Sequence, residues 1–292
     1  MAVRLLRYRL NDWQSIYRFT GSDIGYIQQF KKYWGPSEIS RIETTYRFSQ
    51  RLIDITSSFI MCNPSQITKS IRGAIGDDKY IIGEVEGYAD KYACDFMLSR
   101  FDDLPQGSTV FLIGRYSFDI KMLDNNHSVT YKYDSQDGLT TVIYHNRRDL
   151  KIKFLTAHKS KGLQADYVFI INNKNGKMGF PSKIQDSPIL DLLLEHNDPY
   201  PDAEERRLFY VAMTRAKKKV ILVTIKDKKS DFANELISRY GAEMKQEAFI
   251  CPRCGGRLKK RNGKFGEFYG CENYYVSGCG YTRNIRRKNI TS

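Results

Sequence analysis

The stretch EERRLFYVAMTRAKKKV, residues 204–220, decides how this chain is read. It sets Arg206 and Arg207 near the start of an otherwise apolar helical segment and a third arginine, Arg215, at its end. Pro201 and Asp202 precede it, and Asp202 with Glu205 three residues on has capping-box spacing, so a helix is expected to start near Ala203. Along one side of that helix Leu208, Val211 and Ala212 turn toward a sheet, which brings Arg215 out at the edge of the core one turn further. The apolar run VILVT (220–224) that follows suits a buried strand. Lys217, Lys218 and Lys219 complement the helix dipole. Arg215, after Thr214 and before the small Ala216, is placed to meet an anion.

Outward from this segment the chain alternates strand and helix. TVFLIG (109–114), IKFL (152–155) and YVFII (167–171) are dense in β-branched and aromatic residues and read as further buried strands. SQRLIDITSSFIM (49–61), VEGYADKYACDFMLSRF (85–101) and PILDLLLEH (188–196) read as helices between them. Such alternation predicts an α/β fold, a parallel sheet with helices on both faces. Residues 124–150 are more polar, with short alternating runs VTYKY and TTVIY and turn-forming Asp137-Gly138, and predict an antiparallel edge.

Composition narrows the partner. The 292 residues carry a formal charge of +14, which favours a polyanion. No run of 18 apolar residues exists and MAVRLLRYRL lacks the features of a signal peptide, so a cytoplasmic protein without membrane spans is expected. Residues 245–292 hold eleven Lys/Arg against three Glu, interleaved with Phe249, Phe265, Phe268, Tyr269, Tyr274, Tyr275 and Tyr281. Cations for phosphates beside aromatic faces for bases is a pattern of single-strand binding. The same tail spaces Cys251, Cys254, Cys271 and Cys279 as C-x2-C-x16-C-x7-C, which suits one structural Zn2+ in a segment too short and polar to form a core otherwise. Cys62 and Cys94 have no partners at such spacing and are expected to be buried as small apolar groups.

Two resemblances sharpen these readings. EERRLFYVAMTRA (204–216) resembles motif VI of superfamily 1 helicases of the UvrD/Rep type. TAHKSKGLQADYV (156–168) resembles their motif V, TTYRFSQRL (44–52) motif IV and NDWQSIYRFTGSD (11–23) motif III, all in family order. GFPS (179–182) and the short spacing between motifs IV and V point toward the helicase IV-like branch. CPRCGGRLKKRNGKFGEFYGCENYYVSGCGYT (251–282) resembles the zinc ribbons of bacterial type IA topoisomerases, which bind single-stranded DNA, and departs from them at Tyr275-Val276-Ser277-Gly278.

The helicase resemblance implies a RecA-like second motor domain that contributes cations to ATP and Mg2+ bound by a first domain. It assigns Arg47 and Arg215 to the γ-phosphate, Gln14 to sensing it, and Tyr46, Gly162 and Gln164 to the nucleotide. Gln164 stands where most relatives carry a glutamate. Tyr17, Phe19, Thr156 and His158 are assigned to DNA, as are Phe268 and Tyr269 on the ribbon. The chain has no G-x-x-x-x-G-K-[ST] loop, so it is expected to be the C-terminal part of an ATP-dependent 3′–5′ DNA helicase, inactive without a separate N-terminal motor half. The expected division is a motif III remnant (1–24), a UvrD-like C-terminal domain (25–243) and a DNA-binding zinc ribbon (244–292). A non-enzymatic binder of single-stranded or partially duplex DNA, with the RecA-like fold as scaffold, is the alternative.

Overall fold

A computed structural model describes residues 11–284 apart from 21–22, 39, 41–42, 77–80, 137, 185–197, 248–250, 252, 255 and 265. In chain order the main elements are β1 (Thr44–Ser49), α1 (Gln50–Ile60), β2 (Arg72–Ile75), β3 (Ile82–Gly87), α2 (Asp90–Phe101), β4 (Thr109–Gly114), β5 (Val129–Tyr133) and β6 (Thr140–Tyr144). They continue with β7 (Lys151–Thr156), β8 (Ala165–Ile170), α3 (Ala203–Met213), β9 (Ala216–Ile225), α4 (Asp231–Glu247), β10 (Leu258–Gly263), β11 (Gly266–Cys271) and β12 (Thr282–Asn284).

Seven strands form one sheet in the order β3-β9-β8-β4-β7-β6-β5. β3, β9, β8, β4 and β7 run parallel, and β6 and β5 add an antiparallel hairpin at one end, as residues 124–150 predict. This mixed, mainly parallel sheet with helices is the RecA-like architecture expected. The apolar runs are continuous because both faces are covered: successive side chains of a strand point to opposite faces. Val168, Ile170, Val220 and Leu222 enter a core with α1, α3 and Phe232 of α4, whereas Phe169, Ile171, Ile221 and Val223 enter a second core with α2.

Two expectations are corrected, at residues 85–101 and at Cys62. Residues 85–101 are not one helix: Ile82–Gly87 is a strand paired in parallel with β9, and the helix begins only at Asp90. Residues 44–49 form a strand that pairs with β2 in a separate parallel ribbon. The region 188–196 lies outside the described residues. Cys94 is buried, but Cys62 is half-buried and polar in its contacts, its sulfur 3.4 Å from the Ser58 carbonyl and 3.1 Å from the Arg239 guanidinium. The two-stranded ribbon β1-β2 leads directly into α1, whose N-terminus is capped by the Ser49 hydroxyl accepting from Leu52 N–H.

Helix α3 starts at Ala203 as expected, without the capping box. Asp202 adopts a left-handed conformation (φ 53°) and its carboxylate pairs with Lys183. Glu205 turns away to accept from the Arg115 guanidinium at 2.9 Å and from Ser182 N–H at 2.8 Å. The other charges of α3 also point inward. Glu204 accepts from Arg18 N–H; Arg206 donates to the Phe59 carbonyl and to Glu235; Arg207 donates to the Ser15 carbonyl and to Asp198. The paired arginines are therefore clamps between elements, not a solvated stripe.

Arg207 and Asp198 are 4% and 5% exposed, 3.0 Å apart. Removing one partner leaves the other charge buried and unpaired, so Arg207→Ala is expected to cost about 3–5 kcal/mol, measured by urea denaturation. A change within about 0.5 kcal/mol would contradict this placement.

Candidate functional site

The candidate site forms where the loop after β7 meets the end of α3. β7 ends at Thr156, and Ala157–Gln164 return the chain to β8, with Gly162 at φ +89°, a backbone region that favours glycine. Pairing of Ala165 with Ala216, and the Ala165 N–H bond to the Arg215 carbonyl, stitch this loop to the start of β9. Motif V and motif VI thus meet in space although about fifty residues separate them in the chain.

Arg215 does not emerge at the core edge; it is 2% exposed. Its Nε donates to the Val211 carbonyl at 2.8 Å, one terminal nitrogen reaches the Thr214 hydroxyl at 3.0 Å, and the other faces the Leu163 carbonyl at 3.4 Å. Neutral oxygens solvate the guanidinium but do not cancel its charge. Among the described residues no carboxylate pairs with it. Burial, and then the charge of Arg47, lower its pKa to about 10.

A further cation stands here that motif reading overlooked. Lys161 lies close enough to Arg215 for the arginine's charge, after burial, to lower the lysine's pKa. Its ammonium donates to the Gln14 carbonyl at 3.0 Å and sits 4.7 Å from the centre of the Tyr17 ring. The signal was present in the pattern K-S-K-G before the left-handed glycine; what the sequence lacked was the direction in which each lysine points. Arg215 thus lies within electrostatic reach of two like charges, Arg47 and Lys161, an arrangement that an anion would relieve.

The remaining assigned residues distribute as follows. Gln14 and Tyr17 border the same loop, and the Tyr17 ring lies 6.1 Å from that of His158. His158 bonds to the Ile16 backbone; burial and then the charge of Arg115 hold its pKa at about 4, so it is neutral at physiological pH. Thr156 and Gln164 are half-buried, and the Thr156 hydroxyl accepts from Lys159 N–H. Tyr46 is 78% exposed, available for stacking and not part of the core. The Phe19 side chain lies outside what is described. Motifs III, V and VI therefore converge, with Arg47 of motif IV alongside.

The cysteines make a second centre. β10, β11 and β12 form an antiparallel sheet, and the sulfurs of Cys251, Cys254, Cys271 and Cys279 all lie within 4.8 Å of one another. Zinc–sulfur bonds of about 2.3 Å in a tetrahedron place sulfurs about 3.8 Å apart. The Cys251–Cys279 and Cys254–Cys271 separations are 3.7 and 3.3 Å, so the set fits Zn2+. The Gly256 backbone N–H holds the Cys254 thiol near 7, whereas burial pushes Cys251 up to about 12. Four thiolates would close the coordination sphere, so the ion's role is structural. Phe268 and Tyr269 on β11 are half-buried, and Tyr269 packs against the cysteine core. Among the described residues the ribbon's exposed aromatics are instead Tyr274 and Tyr275, with the Arg261 guanidinium 5.7 Å from the Tyr275 ring. No described helix is long and apolar enough to cross a membrane.

A mainly parallel sheet with helices, followed by a four-cysteine ribbon, is the architecture of a RecA-like domain joined to a zinc ribbon. The chain carries a UvrD-like helicase C-terminal domain, matched over residues 135–227, and a topoisomerase DNA binding C4 zinc finger, matched over residues 249–288. It is 32% identical over 227 residues to DNA helicase IV of Escherichia coli K12, covering 77% of this chain and 30% of that protein. Over 48 residues it is 46% identical to DNA topoisomerase 1 of Methanocaldococcus jannaschii, 16% of this chain and 6% of that protein. The chain therefore spans under a third of the length of either relative.

Two outcomes are expected. One zinc ion per chain should be found by elemental analysis, and a strong chelator should expose residues 251–284 to proteolysis while leaving the seven-stranded sheet intact. For His158 the folded pKa of about 4 lies below the ordinary 6.5, so its contribution to stability is complete above pH 6.5 and is lost as pH falls toward 4. His158→Asn should flatten that part of the melting temperature versus pH curve; an unchanged slope would show that the ring is not buried neutral.

Proposed function

We propose that this chain supplies the second motor domain and a DNA-binding tail of an ATP-dependent 3′–5′ DNA helicase. The observation that carries the reading is the burial of Arg215 among neutral oxygens, with no described carboxylate paired to it and Lys161 and Arg47 near enough to interact with it. A triphosphate held by a first motor domain is the anion whose charge this cluster complements. As the γ-phosphoryl group transfers, charge spreads over its oxygens, and preorganised cations stabilise that charge more than the ground state. Arg215 keeps a fixed orientation through its carbonyl and hydroxyl bonds, which suits a planar guanidinium donating to two phosphate oxygens. Lys161 bridges the cluster to Gln14 and Tyr17, so nucleotide at the cations is felt by the motif III residues. Tyr46, exposed two strand positions before Phe48, is available to stack on adenine.

Tyr17, Phe19, Thr156 and His158 would contact single-stranded DNA, and the ribbon, with its excess of lysine and arginine, would hold a second stretch of single-stranded or partially duplex DNA. The domain division 1–24, 25–243 and 244–292 belongs to the same proposal. Purified 1–292 alone is expected to hydrolyse ATP negligibly; robust DNA-stimulated hydrolysis would overturn that part.

The decisive experiment pairs this chain with a separate N-terminal motor half that carries the phosphate-binding loop and the Mg2+ ligands. Restored DNA-stimulated ATP hydrolysis and unwinding are expected, and Arg215→Gln should lower the hydrolysis rate by about 10³-fold or more. Because Arg215 is buried, the variant's melting curve is measured alongside, and Arg47→Gln on the exposed strand β1 gives an independent arm. Restored hydrolysis indifferent to both arginines would defeat the proposal and favour a scaffold that only binds DNA.

A further inference from the structure

Hairpin β5–β6 closes one end of the seven-stranded sheet, so β5 is a terminal strand. Tyr131 and Tyr133, two positions apart and therefore on one face, are 38% and 58% exposed on it. The Tyr131 hydroxyl is held by the Asp124 carboxylate. Tyr133 is engaged by Lys159, whose ammonium lies 5.8 Å from the ring centre and donates to the Gly138 carbonyl at 2.9 Å in the hairpin turn. Lys159 follows His158 in the loop after β7. One lysine thus ties the motif V loop to the tip of the hairpin.

Lys132, Thr141 and Lys153 form a cross-strand row on the opposite face of the hairpin, so the cation available to the Tyr133 face is Lys159. An exposed ring beside one cation complements a polyanion that carries flat unpaired bases. It is poorly matched to an added protein strand, which would need only the backbone edge of β5.

We propose that Tyr133 is a stacking platform for an unpaired DNA base and Lys159 the cation for the adjoining phosphate, carrying the strand from the motif V loop onto the hairpin. This rests on the reading of Thr156 and His158 as DNA contacts. The hairpin then sets the path of the strand at the edge of the motor domain, and the Lys159 tether makes that path move with the motif V loop.

The test uses the full chain and fluorescein-labelled oligothymidine in anisotropy titrations, with 5-iodouracil in the same oligonucleotide for photocrosslinking. Tyr133→Ala should weaken binding by about tenfold at fixed salt, whereas Tyr133→Phe should bind as the wild type does. Lys159→Gln should reduce the slope of log affinity against log salt by about one. Crosslinked peptides should contain Tyr133. Because the ring is exposed, an unchanged melting curve for Tyr133→Ala is expected and is measured. Wild-type affinity in Tyr133→Ala, with no crosslink at the hairpin, overturns the proposal. If His158→Ala weakens binding in that case, the hairpin assignment fails alone; if His158→Ala and Thr156→Ala also bind normally, the motif V reading fails with it.

Discussion

The structure depends on the inward-facing charges of α3. Arg207, held by the Ser15 carbonyl and Asp198, and Arg206, held by the Phe59 carbonyl and Glu235, are almost entirely shielded from water. A buried guanidinium is costly unless its charge is paired and its terminal nitrogens find acceptors, so these bonds fix where the partner elements must lie. Glu204 and Glu205 do the same for the segment around Arg18 and for Arg115 and Ser182. One helix thereby locates the motif III segment, α1, α4, the end of β4 and the G-F-P-S turn relative to one another.

Against that background Arg215 stands apart. Its neighbours on α3 find carboxylates, whereas Arg215 finds neutral oxygens and two other cations, Arg47 and Lys161, near enough to act on it or be acted on. Retaining unpaired positive charge in a desolvated place lowers the stability of the free domain, and such local conflict is expected at a site completed by a ligand. The four-cysteine ribbon has a similar need in another form: a core of Cys251, Leu258, Cys271 and Tyr281 is small, and an ion joining the sulfurs would supply the missing cohesion.

Much of this was legible in residue pattern. Buried parallel strands were readable from β-branched runs because a strand covered on both faces has no polar period. The antiparallel edge at 124–150 was readable from alternation and turn residues, and the zinc set from cysteine spacing. The misreading of 85–101 has a physical cause: Val85 and Gly87 belong to a strand that acquires its identity by pairing with β9, more than a hundred residues away, and a helix follows after only two residues. The capping box failed similarly. Asp202 and Glu205 have the right spacing, but Lys183 and Arg115 compete for their carboxylates, and charged partners outbid a backbone N–H.

The sequence by itself determined the α/β class and the metal-ligand set, because both are encoded in local periodicity or spacing. Tertiary structure alone decided which cations share a site, that Arg215 is buried rather than at the rim, that Lys161 joins it, and that Lys159 turns instead toward the hairpin. Those outcomes depend on long-range pairings such as Ala165 with Ala216, which set the positions and directions of side chains. No local pattern specifies a direction in space until the sheet that carries it is assembled.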